Sequence, residues 1–597
     1  MLKILLASVL WCGLLLPFHL FPLEDLPNDV VSMLLASILF FFIVLKYRSQ
    51  MVALPVSALL LLVFIISVIG SSFVQESSFL FSDYAYLIFL FAGVLVAVAA
   101  GTLKEHGNDV VPLIAKSLYW IALITATYGL LRHYGVLKLL LPWVTGETTR
   151  LLGPLNQANL TALVLGLGII SSVFLLISSR LRYPNTLLSV SYMSVAASLT
   201  GSRAFVIFVL LIIAIPMLKL CVSPRVMSAS RRVVQNRWKQ VVAIVGLVLV
   251  ITFVFPSVSR PISDSLIQAG FIERGEEEAV SDRFRLTDDY RSEEWRKLQA
   301  YPQIAENPLF GFGPGRYGVF SIEADKAIED PVRMGTLWSH GHNLFVNVFV
   351  ELGIFGLSVM LAMVAYLFAL FWRSEFLPRD YFVFSALGAL FVNNMLEFSF
   401  WFFGFFALAI VLVSQVDRRV KIKFSSSFLP VSVGGALLVT SLVSFAYVGS
   451  DYWGAVKGFH KANLTQEERY AFLDAKKNRF VGGYALKAQI IREQVSLFGV
   501  EAQIRELERY MSWRPEMVFM MRSAVLKSVI GPQEIACDRV KETVGLYPNS
   551  VERLADELVE AKQLGATFDI AFIQGCLAEG MMYWVELSRN LPPEKGG

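Results

Sequence analysis

The chain has 597 residues, 55% of them apolar and 17% charged, whereas soluble domains carry about 25% charge. This composition excludes a string of soluble domains and points to a membrane protein. A net charge of +4, scattered along the chain, excludes nucleic acid as a partner, and four cysteines exclude a disulfide-rich scaffold.

Runs of about 20 apolar residues span a bilayer core. Thirteen such runs are expected, near 4–21, 29–45, 52–72, 82–101, 109–131, 157–178, 184–200, 204–221, 241–257, 343–371, 380–396, 399–416 and 428–447. Lys3 precedes the first run as it would in a signal peptide. A second run follows after one short loop and no small-residue cleavage pattern is evident, so the first reads as a retained helix. With the N-terminus inside, Lys46 and Arg48, Lys104, Arg180 and Arg182, the cluster Arg225 to Lys239, Arg373 and Arg379, and Arg418 to Lys423 all fall on the cytoplasmic side. The alternate loops at 22–28 and 74–78 hold acidic residues and no Lys or Arg, as the positive-inside rule requires. An odd span count then sends the loop 258–342 and residues 448–597 to the other face. The expected organisation is a membrane domain over 1–447 that includes this loop, followed by a helical domain over 448–597.

Charged groups at membrane depth cost about 2.5 to 3.5 kcal/mol each, so each one implies a partner, a cavity or a function. The segment Arg150-Leu-Leu-Gly153-Pro-Leu-Asn156-Gln157-Ala-Asn159 opens the sixth span with more amides than one helix cap needs. Capping by Asn156 or Asn159 competes there with a ligand contact. Gly201-Ser202-Arg203 sits in a short turn ahead of a helix start, where Arg203 either snorkels to the interface or faces an anion together with the positive end of the helix. The long loop carries Ser281-Asp-Arg283-Phe-Arg285, then Arg291 and Trp295 four residues apart on one helical face, and Asn307 to Gly315. It ends in Ser339-His340-Gly-His342-Asn343. Two histidines this close can signal a metal, but no Cys, Asp or Glu accompanies them at ligand spacing, so none is expected. Asn343, Asn347 and Glu351 form one polar stripe, as do Asn393 and Glu397 on the next helix, with helix-to-helix hydrogen bonding as the plain alternative to a ligand site.

Residues 448–597 read as helical with a weak period near 33, in which Trp513-Arg-Pro515 recurs as Leu546-Tyr-Pro548. A tetratricopeptide-like array and a plain helical bundle both fit. Cys537 and Cys576 share this region and are the one pair positioned to bridge.

Taken together these motifs resemble the bacterial superfamily of O-antigen ligases, O-antigen polymerases and protein O-oligosaccharyltransferases, over roughly residues 145–415. Asn393-Asn-Met-Leu-Glu397-Phe-Ser-Phe-Trp401 is similar to the His-Ser-Met-x-Glu-Tyr-Pro-Leu-Trp signature of the PglL-type protein O-oligosaccharyltransferases, which also carry an extra soluble domain after the last span. Asn393 stands where that signature has histidine and Ser399 where it has proline; Ala158 replaces the proline of the Gln-Pro-Asn motif.

The resemblance implies an all-α glycosyltransferase of the bacterial inner membrane that moves a glycan from a polyprenyl diphosphate carrier to a Ser or Thr hydroxyl of a periplasmic, pilin-type protein. Lipid A-core ligation and O-unit polymerisation are the neighbouring alternatives. No cofactor or metal is implied. The resemblance points to Arg203 and Arg291 as stabilisers of the diphosphate leaving group and to His342 as the base, with His340 in reserve. Gln157, Asn159, Trp295, Asn343, Glu351 and Glu397 are the expected substrate contacts. From other classes, a transporter or flippase explains many polar spans but should show paired interrupted helices, and no such pair is evident. A purely structural envelope protein leaves the arginines and His342 unexplained.

Overall fold

The computed structural model describes residues 1–48, 51–75, 81–140, 150–222, 231–269, 290–328, 337–423, 428–530 and 532–588. The expected loop motif at Ser281 to Arg285 lies outside them, as does Arg225.

The chain is an all-α polytopic membrane protein. Among the described residues nine helices are long and apolar enough to cross a bilayer. The other four of the thirteen expected spans are helical but shorter: Leu2–Leu15, Tyr183–Ser198, Pro378–Asn394 and Phe403–Val416. The expected span at 241–257 belongs to a helix, Arg231–Gln268, that runs on through Pro256 and Pro261, so the long loop begins later than the composition suggests. Likewise one helix, Phe428–His460, carries the chain from the last span into the C-terminal region without interruption.

Ala158–Ile177 is the central helix, with every residue except Asn159 buried. A helix that is apolar all round needs neighbours on all sides. It has them in Val111–His133, Tyr183–Ser198, Arg203–Val222 and Pro378–Asn394. Small residues let these backbones approach: a Cβ on Gly168 would lie 2.1 Å from that of Ala122. At one end of the bundle two segments pair as antiparallel strands, Met51–Pro55, expected at the start of the 52–72 span, against Arg419–Lys423, expected as a loop. Beside them Asp417 accepts from the amide and hydroxyl of Ser57 at 2.9 and 2.6 Å, and Glu105 pairs with Arg419 and Lys421.

Near the opposite end the helix Leu344–Arg373 is broken at Gly353, whose φ of 64° and ψ of −161° only glycine tolerates. The backbone groups freed by the break are taken up by the loop ahead of it. Phe312 N–H donates to the Val350 carbonyl and Gly313 N–H to that of Glu351, both at 2.9 Å. In return Ile354 and Phe355 donate to the carbonyls of Pro308 and Leu309 at 3.1 Å. Irregular backbone at this depth survives only when buried protein groups satisfy it. Contact is so close that a Cβ on Gly311 would lie 2.6 Å from the Gly353 nitrogen, and one on Gly353 would lie 2.5 Å from the Leu309 carbonyl.

The C-terminal helices, Gly482–Arg492 to Ile570–Ser588, pack around their own apolar core, which also takes in Ile322 of the loop helix Tyr317–Ala327. The two sequence repeats touch where Tyr547 O–H donates to the Pro515 carbonyl at 2.6 Å. Cys537 and Cys576 are disulfide-bonded, tying Gln533–Leu546 to Ile570–Ser588.

Replacing Gly353 with alanine should cost about 3 kcal/mol or more, because an essentially glycine-only conformation is strained by about 1 to 3 kcal/mol before the clash with Leu309 is counted. A thermal melt of the protein in detergent checks this, with Gly246→Ala, where a Cβ meets nothing within 4 Å, as a control expected not to destabilise. Equal melting temperatures for the two variants would remove the break at Gly353.

Candidate active site

Three elements deliver the site. The first is the turn Ser339 to Asn343 ahead of the broken helix. Asn343 is the N-cap of that helix, and its Oδ1 accepts from the amides of Phe345 and Val346 at 3.0 and 3.4 Å. This occupies the side-chain oxygen of a residue expected to meet substrate. Gly341 is held from two sides, its amide donating to Asn347 Oδ1 at 3.2 Å and its carbonyl accepting from Trp295 Nε1 at 2.7 Å. Trp295 therefore serves as a strut under the histidine turn. The clamp sets His342 in the left-handed region, with φ of 47°.

The rings of His340 and His342 lie 4.1 Å apart at their centroids, with Phe398 and Trp401 against His340 and Trp338 against His342. His342 Nδ1 is 3.3 Å from the Leu396 carbonyl and 3.7 Å from Glu397 Oε2. A carbonyl only accepts, so this contact assigns the proton to Nδ1 and leaves the lone pair on Nε2.

The second element is the turn after Pro378–Asn394, which supplies Glu397. Its side chain is only 6% exposed, and Oε1 accepts from Arg291 Nη2 at 3.0 Å and from Asn159 Nδ2 at 2.7 Å. Arg291, on the short helix Tyr290–Arg296, keeps 30% of its side chain exposed.

The third element is the start of the central helix. Asn159 Oδ1 accepts from Arg150 Nη2 at 2.8 Å, while Arg150 Nε donates to the Thr200 carbonyl at 2.7 Å. The last bond, with Leu151 N–H to the Leu199 carbonyl at 2.9 Å, brings the Gly201 to Arg203 turn to this edge of the site. Arg203 is exposed at the start of its helix, and Ser202 before it has a buried hydroxyl with no hydrogen-bond partner among the described residues.

The sequence thus places His342, His340, Arg291, Trp295, Asn159 and Glu397 in one cluster. Other expected contacts go elsewhere. Glu351, almost fully buried, accepts from Tyr86 O–H at 2.9 Å beside the helix break. Gln157, rather than Asn156 or Asn159, occupies the N-cap of the central helix; it makes no side-chain cap bond, and its Oε1 is buried with no hydrogen-bond partner among the described residues. Asn347 bonds the histidine turn, whereas Asn393 buries both side-chain polar atoms with no hydrogen-bond partner among the described residues. Arg150 is the residue to which sequence reasoning gave no role. Its signal was its place, three residues before Gly153. No group of three metal-ligating side chains occurs among the described residues.

Burial holds both histidines well below their ordinary value. His342 is lowered to about 4, by desolvation first and the Arg291 charge second, against the upward pull of the Leu396 carbonyl. His340 is lowered to about 3 by burial, then by His342, Arg514 and Arg291. Burial also raises the Glu397 carboxyl, with Arg291, Asn159 and Arg150 pulling it back.

A protein-family model described as O-antigen ligase matches residues 188–361. Residues 188–361 are thus similar to the O-antigen ligase family. The matched stretch contains Arg203, Arg291, Trp295, His340, His342, Asn343 and Glu351, whereas Gln157, Asn159 and Glu397 flank it on either side. Over 195 residues the chain is 25% identical to a ComP-specific O-oligosaccharyltransferase of Acinetobacter baylyi (strain ATCC 33305 / BD413 / ADP1). That stretch covers 32% of this chain and 34% of the relative, so about a third of each is compared. Comparison with the solved structures found no match.

His342 is neutral at any pH well above 4, so an activity that uses it as a base keeps its free-enzyme rate far below the ordinary histidine range. The acid limb of kcat/KM should fall near pH 4. A limb near 6.5 that persists in His342→Gln would exclude this imidazole as its source.

Proposed function

We propose that the chain transfers an oligosaccharide from a polyprenyl diphosphate carrier to a Ser or Thr hydroxyl of a periplasmic, pilin-type protein. The observation that carries this reading is the pairing of a neutral His342, its Nε2 lone pair free of the Leu396 contact, with Arg291 held by Glu397. The Acinetobacter relative, a ComP-specific O-oligosaccharyltransferase by name, supports oligosaccharide transfer to one specific acceptor. The family description, O-antigen ligase, favours a second reading in which the acceptor is lipid A-core.

The chemistry needs no metal or cofactor. The acceptor oxygen attacks the anomeric carbon and its proton passes to His342 Nε2. The bond from that carbon to the phosphate oxygen breaks, and its electron pair leaves with the carrier diphosphate. Charge grows on the diphosphate as the bond opens, so Arg291 and Arg203 stabilise the transition state more than the ground state. A single displacement inverts the anomeric centre, and retention in the product would demand a covalent intermediate that the scheme lacks. In the cell the N-terminus would lie in the cytoplasm, with the site and the C-terminal helices on the periplasmic side of the inner membrane. The disulfide between Cys537 and Cys576 supports that placement.

The test supplies purified protein with a polyprenyl diphosphate-linked oligosaccharide and either a pilin-type protein or lipid A-core. Transfer to the protein is expected, reduced about 10²- to 10⁴-fold in His342→Ala and about 10²- to 10³-fold in Arg291→Ala. Transfer to lipid A-core alone would move the acceptor to the second reading. Transfer to neither would overturn both.

A further inference from the structure

Arg150, Asn159, Glu397 and Arg291 form one continuous chain of hydrogen bonds. Thr200 O accepts from Arg150 Nε at 2.7 Å, and Asn159 Oδ1 accepts from Arg150 Nη2 at 2.8 Å. Asn159 Nδ2 then donates to Glu397 Oε1 at 2.7 Å, the same oxygen that accepts from Arg291 Nη2 at 3.0 Å. The amide of Asn159 fits in one orientation only, because its oxygen must face a guanidinium and its nitrogen a carboxylate. Arg150 in turn serves two acceptors through a rigid planar fork, which a flexible ammonium on a single stem does not reproduce. Lone charges near a buried carboxylate would be explained by pairing alone; this arrangement also fixes direction.

We propose that Arg150 is a positioning residue for the transfer reaction, acting through Asn159 and Glu397 to aim Arg291 at the leaving group. This rests on the reading given under Proposed function. Glu397 alone would pair with Arg291 in any of several geometries, since a carboxylate presents about four lone-pair directions. Asn159 occupies part of Oε1 and leaves Arg291 the remainder. His342 stands 3.7 Å from Oε2 on the other side. The charged and titratable groups facing Glu397 are therefore Arg291 from the loop helix, His342 from the turn ahead of the broken helix, and Arg150 behind Asn159 at the start of the central helix.

Two readouts separate this from a scaffold role. In the transfer assay, Arg150→Ala and Asn159→Ala should each lower kcat/KM about 10- to 100-fold. The double variant should lose no more than the worse single, because both cut one chain. Arg150→Lys should behave like Arg150→Ala, and it is also the variant to use if alanine impairs folding. The second readout does not depend on any glycan. The carboxyl band of Glu397, isolated as the infrared difference between the protein and Glu397→Gln, is titrated with and without Arg150. Loss of Arg150 removes one of the charges that lower this carboxyl, so the midpoint should move to higher pH in Arg150→Ala, and less in Arg150→Lys, which keeps the charge. Additive losses, full rescue by lysine, or an unmoved midpoint in Arg150→Ala would each overturn the proposal. A moved midpoint with no transfer to any acceptor would leave the hydrogen-bonded chain standing and overturn only the functional reading on which its role rests.

Discussion

A carboxylate almost out of reach of water has to be compensated, and the burial of Glu397 organises everything around it. An isolated buried charge is far more expensive than a protein's whole stability permits, so the group either takes up a proton or collects donors. Glu397 collects Arg291 from the loop and Asn159 from the central helix on one oxygen, with His342 near the other. Those three residues come from sequence positions hundreds of residues apart in places, yet all meet at the same group, and Arg291 and Asn159 satisfy it. Removing Asn159 or Arg291 leaves the carboxylate a donor short.

The histidine turn depends on a second constraint, the exchange of backbone hydrogen bonds across the break at Gly353. A continuous helix would offer the loop 308–313 nothing to bond. By breaking, the helix presents two carbonyls and two amides, and the loop answers each of them. The loop is thereby anchored a few residues before Tyr317, whose ring packs on Gly341. Asn347, from the first half of the same broken helix, bonds the Gly341 amide. The position of His342 is thus set by the membrane helix on one side and by the anchored loop on the other, and the Trp295 bond to Gly341 ties in the helix that carries Arg291.

Much of this was legible in the chain, for physical reasons that differ from part to part. Long apolar runs and charged residues where hydrocarbon is expected are strong signals, so the spans and the cluster of Arg291, His342 and Glu397 stood out. The break at Gly353 did not, because a glycine in an apolar run of thirty residues looks the same whether it bends or, like Gly356, remains helical. The continuation of Arg231–Gln268 was hidden by Pro256 and Pro261, which usually end helices in sequence reasoning but are tolerated in helices of membrane proteins. The role of Arg150 was hidden for another reason. Its meaning lies in the Thr200 carbonyl and the Asn159 amide, and no local pattern announces a bond to a backbone atom 50 positions away.

Asn343 and Glu351 are the opposite case, residues whose polarity in an apolar span drew attention and whose visible partners are structural. The distinction matters for the chemistry because it leaves His342 with few polar neighbours apart from Arg291, Glu397 and the Leu396 carbonyl. Burial and Arg291 both disfavour the imidazolium, so the resting base is neutral but weak. On the proposed reading, the donor changes that balance. A diphosphate bound at Arg291 offsets the guanidinium's field, and the imidazole becomes a better proton acceptor only when the substrate is in place. By reciprocity, a proton on His342 strengthens the hold on a leaving diphosphate by the same factor. Base and leaving-group stabiliser then assist one another through a single arginine, and the carboxylate that holds this arginine links both halves of the reaction.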